Sequence, residues 1–261
     1  MNFSLFHHET HQYRRPQPAA MPELPNAHFF ALYRGARTGG DFYDFAFVNG
    51  RVLTLFCDIS GKRDEALHIA ASVQDKFQQC APQLFSGNDI NESDRLSDLL
   101  LTINREIIEV AGGPRYTPAF ISCFDPGMGM LTYINAGHLP ALVRDDDGIS
   151  TLDASGLPLG LFTHSTHDAQ LCVIRPGSSL LLVSRGLIET KRHHEEFGID
   201  RVKQSMLSAQ FENARELCTL LHAAAQSFLD NKAPDNDLTT LAMVRPLAMV
   251  RPQATAQTGT A

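Results

Sequence analysis

Hydrophobic positions change period several times along the chain, and each change marks an element. From Phe29 to Ile59 apolar and aromatic residues fall in strand-like runs around Asn49-Gly50, a dipeptide that tolerates the positive φ of a two-residue turn, so the stretch predicts a β-hairpin. Between Asp64 and Phe85 the spacing becomes helical, with Leu67, Ala70, Ala71, Val73 and Phe77 on one side. A second helix is predicted from about Ser93 to Ala111, where Leu96, Leu99, Leu100, Ile103, Ile107 and Val110 form one stripe and Gly112-Gly113 ends it. Strand patterns return over Ala119 to Phe124, Leu131 to Asn135 and Ala141 to Arg144, separated by Pro126-Gly127-Met128-Gly129 and Asp145-Asp146-Asp147-Gly148. Ser179 to Val183 is a further apolar run. Helices follow at about Asp200 to Ala209 and Asn213 to Asn231, and a last strand fits Leu238 to Val244.

Helices grouped between blocks of meandering strands, without βαβ alternation, give an α+β class with antiparallel sheets and helices outside them. No shift in composition cuts the chain, so one domain is expected over residues 28–246. Residues 1–27 read as a flexible arm, because Pro16, Pro18, Pro22 and Pro25 interrupt any ladder or helix. Residues 247–261 read as a disordered tail. The hexapeptide Leu241-Ala-Met-Val-Arg-Pro246 recurs unchanged as residues 247–252, and both copies cannot share one strand because Pro246 lacks the N–H of a central ladder. A tandem duplication with a dangling second copy is the expected reading; pairing of that copy at a sheet edge or with another chain is the alternative.

Composition narrows the function. The 261 residues carry 22 Lys and Arg against 29 Asp and Glu, a formal net charge of −7, which disfavours nucleic-acid binding through phosphate neutralisation. No apolar run approaches the ~20 residues that span a bilayer, and the N-terminus has no apolar segment of a secretory signal. Five scattered cysteines without CxxC spacing read as reduced thiols, so a cytoplasmic location is expected.

The chemistry concentrates in Gly39-Gly40-Asp41-Phe42-Tyr43-Asp44 and, across the hairpin, Cys57-Asp58-Ile59-Ser60-Gly61. With a two-residue turn, Val48 faces Arg51, and counting back sets Asp41 directly opposite Asp58. Opposed Cβ atoms lie about 4.5–5.5 Å apart, where like charges destabilise a sheet. The pair therefore calls for a cation or a shared proton, and an all-carboxylate setting suits Mg²⁺ or Mn²⁺ better than zinc. The plainer reading is two solvated strand-end aspartates that cap loops. Three further segments stand out: Asn135-Ala136-Gly137-His138-Leu139-Pro140, Val183-Ser184-Arg185-Gly186-Leu187-Ile188-Glu189, and Asp235-Asn236-Asp237-Leu238-Thr239. Singly, each is also readable as a structural turn or strand exit.

In this order, and with Gly156-Leu-Pro-Leu-Gly160, the segments resemble the metal-dependent protein phosphatases of the PPM type, related to eukaryotic type 2C, and within them the stage-II-sporulation-E (SpoIIE) branch. The resemblance covers about Leu32 to Val244. It implies a four-layer α-β-β-α sandwich of two antiparallel sheets flanked by helices, and a cluster of two Mn²⁺ or Mg²⁺ ions that activate water. It implies that Asp58 and Asp41 are catalytic and metal-binding, that the Ile59 carbonyl is a ligand, and that Asn236 and Asp237 stand at the remaining ligand turn. Gly61 and His138 are expected at the phosphate, and Arg185, whose guanidinium can grip a phosphate in bidentate fashion, is expected there in place of one metal.

The sequence departs from that pattern at Arg185, where the family has Asp, at Asn236, and at Arg63, where a small residue is usual. A guanidinium for a carboxylate shifts the local charge by two units, so one ion or none is an alternative to two. The resemblance implies a serine/threonine phosphatase acting on a phosphorylated regulatory protein of the anti-sigma-factor-antagonist type. The alternative is a pseudophosphatase that binds phosphoprotein, with Arg185 reading the phosphate.

Overall fold

The computed structural model describes residues 13–35 and 40–247; residues 1–12, Gly39 within residues 36–39, and the tail from residue 248, with most of the second hexapeptide, lie outside the described residues. In chain order the strands are β1 (Glu23–Leu24), β2 (Ala27–Arg34), β3 (Asp41–Val48) and β4 (Arg51–Asp58), followed by helices α1 (Arg63–Phe85) and α2 (Glu92–Val110). Then come β5 (Ala119–Asp125), β6 (Met130–Ala136), β7 (Ala141–Asp145), β8 (Gly148–Leu152), β9 (Gln170–Val173) and β10 (Ser179–Val183). The chain closes with α3 (Arg185–Ile188), β11 (Lys191–Arg192), β12 (Glu195–Glu196), α4 (Gly198–Ser208), α5 (Ala214–Phe228) and β13 (Leu238–Val244).

The described strands form a six-stranded sheet ordered β1-β2-β13-β10-β7-β8, a five-stranded sheet ordered β3-β4-β5-β6-β9, and the small β11-β12 ribbon. Pairing within the two large sheets is antiparallel throughout. Side chains alternate between the faces of a strand, so a strand covered on both sides must be apolar at nearly every position. β4 shows this: Val52 and Phe56 enter the core between the sheets, while Leu53, Leu55 and Cys57 enter a second core beneath α1 and α2. A third core lies between the six-stranded sheet and α4 with α5, filled by Leu181, Val183, Leu217, Leu221 and Ala242 among others. Four layers with three cores make the expected α-β-β-α sandwich.

Local sequence explains the long helices. In α2, Leu96, Leu99, Leu100, Ile103 and Ile107 are buried at spacings of three and four, and the Asn91 side chain accepts hydrogen bonds from the Ser93 and Asp94 amides at 3.1 and 3.4 Å. In α5, Asn213 caps the Glu216 amide at 3.0 Å, and the Glu216 carboxylate accepts from the Glu212 amide at 2.8 Å.

Among the described residues of the segment expected to be a flexible arm, 1–27, Arg14 and Gln17 bond to α1 and Glu23 and Leu24 pair with β2. Gln17 and Gln74 of α1 exchange two hydrogen bonds, backbone N–H to side chain at 2.7 Å and side chain to backbone carbonyl at 3.0 Å, and Arg14 pairs with Asp75. β1 pairs with β2, because prolines 22 and 25 flank the two-residue strand rather than interrupt it. The first hexapeptide copy supplies the end of β13, between β2 and β10. All five cysteines are free, and no helix among the described residues is long and apolar enough to cross a membrane.

Phe56 is fully buried between the sheets, edge-on to His138 with ring centroids 5.0 Å apart. Phe56→Ala should cost about 3–5 kcal/mol of stability, read from equilibrium urea unfolding. A loss below ~1 kcal/mol would show that the inter-sheet core is not packed as described.

Candidate active site

The inter-sheet core ends in polar side chains at one end of the sandwich, and strand parity dictates which ones. On β3, Phe45 and the partly buried Tyr43 face the other sheet, so Asp41 does too; on β4, Val52 and Phe56 bring Asp58 to the same side. On β2, Phe29 and Ala31 set the parity of Tyr33, and on β13, Leu241 and Met243 set that of Thr239. Leu180 and Leu182 of β10 likewise point Ser184 inward. The Asn49-Gly50 turn has φ of 49° and 79° and pairs Val48 with Arg51, which brings Asp41 opposite Asp58 as counted from the sequence.

A pocket of about 210 Å³ opens here. Gly40 and Asp41 line it from β3, and Asp58, Ile59, Ser60 and Gly61 from the end of β4. Arg185, Gly186 and Glu189 enter from around α3, and Asn236 and Asp237 from the turn before β13. Gly40 is required: a Cβ there would lie 2.6 Å from the Ile59 carbonyl oxygen and 3.4 Å from Asp58 Oδ1. Gly186 packs more tightly still, since a Cβ would lie 2.0 Å from the Asp237 carbonyl oxygen.

The electrostatics are those of crowded acids. Burial pushes the Asp41 carboxyl up to about 7, opposed by a 2.5 Å hydrogen bond from the Thr239 hydroxyl and reinforced by Asp58 and Asp237. Burial also raises Asp58; the Arg185 guanidinium opposes that shift, and Glu189 and Asp237 add to it. Tyr33 is raised to about 12 by burial and by Asp237, to which its phenol is hydrogen-bonded. Arg185 Nε and Nη2 both donate to one oxygen of Glu189, at 3.1 and 2.8 Å, four residues along the same helical turn.

Of the residues singled out in the sequence, Asp41, Asp58, Ile59, Gly61, Arg185, Asn236 and Asp237 all line this one pocket. His138 does not. Its amide donates to Asn135 Oδ1 at 2.8 Å, its Nδ1 contacts the Leu139 carbonyl at 3.0 Å, and its ring packs against Phe56 inside the core. Burial lowers it to about 4, so it is a neutral core residue away from the pocket instead of a phosphate contact. Asp235 lines a neighbouring cavity with Asn236, and Asp237 takes the buried position in the pocket itself. Arg63 is exposed at the start of α1 and is not part of the lining.

Sequence reading did not single out Tyr33, Thr239, Ser184 or Arg115 individually. The first three were findable by continuing the alternation of their strands. Arg115 was not, because it meets the site through tertiary packing: its Nη1 lies 3.3 Å from the Ser60 carbonyl, and a Cβ on Gly61, at φ 130°, would lie 2.5 Å from that nitrogen.

A divalent cation finds a partial fit. Asp58, Asp237 and the Ile59 carbonyl are hard oxygen donors around space that Gly40 keeps open. Yet no group of three or more His, Cys, Asp or Glu among the described residues is gathered closely enough to hold an ion alone, and Arg185 and Asn236 stand where further carboxylates were expected. The donor set suits one hydrated ion and does not suit two.

The sequence profile of the stage II sporulation protein E (SpoIIE) family matches residues 49–246, most of the chain. The chain belongs to the SpoIIE family. Among relatives of this SpoIIE-family chain, protein IcfG of Synechocystis sp. is 24% identical over 250 residues, which cover 87% of this chain and 39% of IcfG. The PP2C phosphatase domain of SpoIIE from Bacillus subtilis, solved with a fragment of its regulatory domain, matches with a TM-score of 0.67 and 17% identity over 84% of this chain and 63% of that one. RsbX, crystallised in complex with magnesium, matches with a TM-score of 0.61 and 13% identity over 86% of this chain and 98% of its own. At these identities the two structures establish the fold, that of PP2C-type phosphatases. The SpoIIE-family chain thus spans about two fifths of IcfG's length.

The raised Asp41 carboxyl makes stability depend on pH when no cation is bound. Its ordinary value is 3.8 and its folded value about 7, so the protonated acid favours folding. That contribution is complete below the ordinary value and is lost as pH rises through the folded one. In chelator, wild type should lose Tm relative to Asp41→Asn between about pH 5 and 7.5. Parallel pH dependences of Tm would show that the Asp41 carboxyl is not raised in the folded chain.

Proposed function

We propose that this chain is a metal-dependent protein serine/threonine phosphatase of low activity, acting on a phosphorylated regulatory protein of the anti-sigma-factor-antagonist type in the bacterial cytoplasm. The observation that carries the reading is the convergence of Asp41, Asp58 and Asp237 on one pocket of a PP2C-type fold. Membership of the SpoIIE family and the magnesium bound to RsbX support it. The free cysteines support the cytoplasmic location.

Asp58, the Ile59 carbonyl and Asp237 would hold one Mg²⁺ or Mn²⁺, with Asn236 contributing an uncharged oxygen. Such a cation supplies Lewis acidity and lowers the pKa of water, the chemistry that phosphoester hydrolysis needs. Asp41, directly opposite Asp58 and lining the same pocket, would hold the ion itself or one of its waters. Arg185 is the phosphate-binding group: its fork of N–H donors, now turned on Glu189, suits two oxygens of a phosphoryl group. Half-exposed, it is free to exchange Glu189 for substrate, since exposed ion pairs are worth only ~0–1 kcal/mol. Gly61 leaves the pocket's mouth without a side chain beside Arg115.

The test is hydrolysis of an aryl phosphate with and without millimolar Mn²⁺. Wild type should turn over slowly, Asp58→Ala not at all, and Arg185→Asp with Asn236→Asp faster than wild type. Wild-type turnover no higher than that of Asp58→Ala would overturn the enzymatic reading and leave the phosphoprotein-binding one, which Arg185 would then serve. No gain in the double variant would show that those positions are not vacant ligand places.

A further inference from the structure

We propose that Thr239 is a positioning residue for the cation site: its hydroxyl reaches across the gap between the sheets and fixes the carboxylate of Asp41. The inference rests on the proposed function above and deepens it. Asp41 opens β3 in the five-stranded sheet and Thr239 lies in β13 of the six-stranded one, 198 residues away, so their 2.5 Å hydrogen bond joins the two halves of the sandwich at the site itself.

Three observations make this bond a fixing device. First, Thr239 has no freedom to follow Asp41. It is fully buried, it faces Tyr33 in the β2–β13 ladder, and its amide donates to Ser184 Oγ at 3.0 Å. Its carbonyl accepts from the Ser184 amide at 2.9 Å, while the Ser184 hydroxyl also lies 3.3 Å from the Asp237 carbonyl. Second, Asp41 has reason to leave. Asp58 and Asp237 both repel its carboxylate, and a side chain at a strand end relieves such repulsion by rotating outward. Third, the donor chemistry is directional: a threonine hydroxyl carries one proton, and here it is spent on Asp41 Oδ2. The Ser184–Thr239 unit therefore sets Asp41 from the opposite sheet, while the hairpin sets Asp58 from its own.

The experiment compares wild type with Thr239→Val, which keeps the shape and removes the donor, and Thr239→Ser, which keeps the donor. Mn²⁺ binding is followed by calorimetry on the full chain, and circular dichroism melts confirm folding. Thr239→Val should weaken Mn²⁺ binding by about 10- to 100-fold, the usual effect of losing a group that orients a site, and Thr239→Ser should restore it. Unchanged affinity in Thr239→Val would overturn the proposal, as would Thr239→Ser proving as weak as Thr239→Val, which would assign the effect to packing. If wild type takes up no Mn²⁺, the cation reading fails separately. Crystal structures then decide the positioning role: an Asp41 carboxylate displaced in Thr239→Val supports it, and one left in its wild-type place overturns it.

Discussion

The gap between the two sheets is the constraint on which the rest of this structure depends. It must be filled from both sides by side chains of one strand parity, and along most of its length those are Phe29, Phe45, Phe56, Phe120, Leu182, Leu241 and Met243. At one end the same parity continues into Tyr33, Asp41, Asp58, Ser184 and Thr239. The pocket thus opens on the last layer of the core, written in polar residues, of which Asp41 and Asp58 line it. Its geometry inherits the rigidity of five strands whose preceding residues are packed to interior density. A register slip of one residue in any of these strands would carry its polar residue to the helix side, so the forces that specify the core also specify the site.

Opposed carboxylates at that end are an electrostatic cost that the fold tolerates because it is confined. Asp41 and Asp58 stand at the open end of a hairpin whose remaining pairs are largely apolar. The turn at Asn49-Gly50 fixes the pairing from the far end, where the Arg51–Glu92 ion pair ties β4 to α2. The acids cannot separate by sliding the strands, since that would unpair the ladder and expose Leu53 and Leu55. What remains is to bind a cation, to keep a proton, or to be held by donors such as Thr239.

This division explains what the sequence makes legible. Long elements were readable because their periods are local properties: α1, α2, α5, β5 and β13 fall within a few residues of their predicted spans. The Asp41–Asp58 pairing was readable because a two-residue turn converts sequence distance into register. β9 was not, since at the edge of its sheet Leu171 and Val173 stay exposed and no buried face imposes alternation. β1, β11, β12 and the single turn of α3 are too short to carry a period. Tyr33 and Thr239 come from strands that do not pair with the hairpin, and only the stacking of the sheets brings them to Asp41. His138 shows the opposite failure. It was expected at the phosphate, but the positive φ of Gly137 turns the chain back over the core and Asn135 holds the His138 amide there, the structural role that a histidine in a turn also allowed.

Arg185 illustrates how one substitution is absorbed without loss of the fold. The α3 turn places positions 185 and 189 on one face, so the guanidinium finds Glu189 within its own helical turn. The pair is close to neutral, and Asp58 senses both members with opposite signs. The positive charge that stands where an acid was expected is therefore compensated locally and leaves Asp58 most of its negative field. Under the proposed reading this accounts for a site that keeps one cation and loses the second. The donors around Asp58 and Ile59 are intact, whereas the place at Arg185 now presents N–H groups, which repel a cation and attract a phosphoryl oxygen. Under the same proposed reading, the guanidinium that takes a ligand's place supplies an anion contact, so weak hydrolysis and phosphoprotein binding would both follow from one residue.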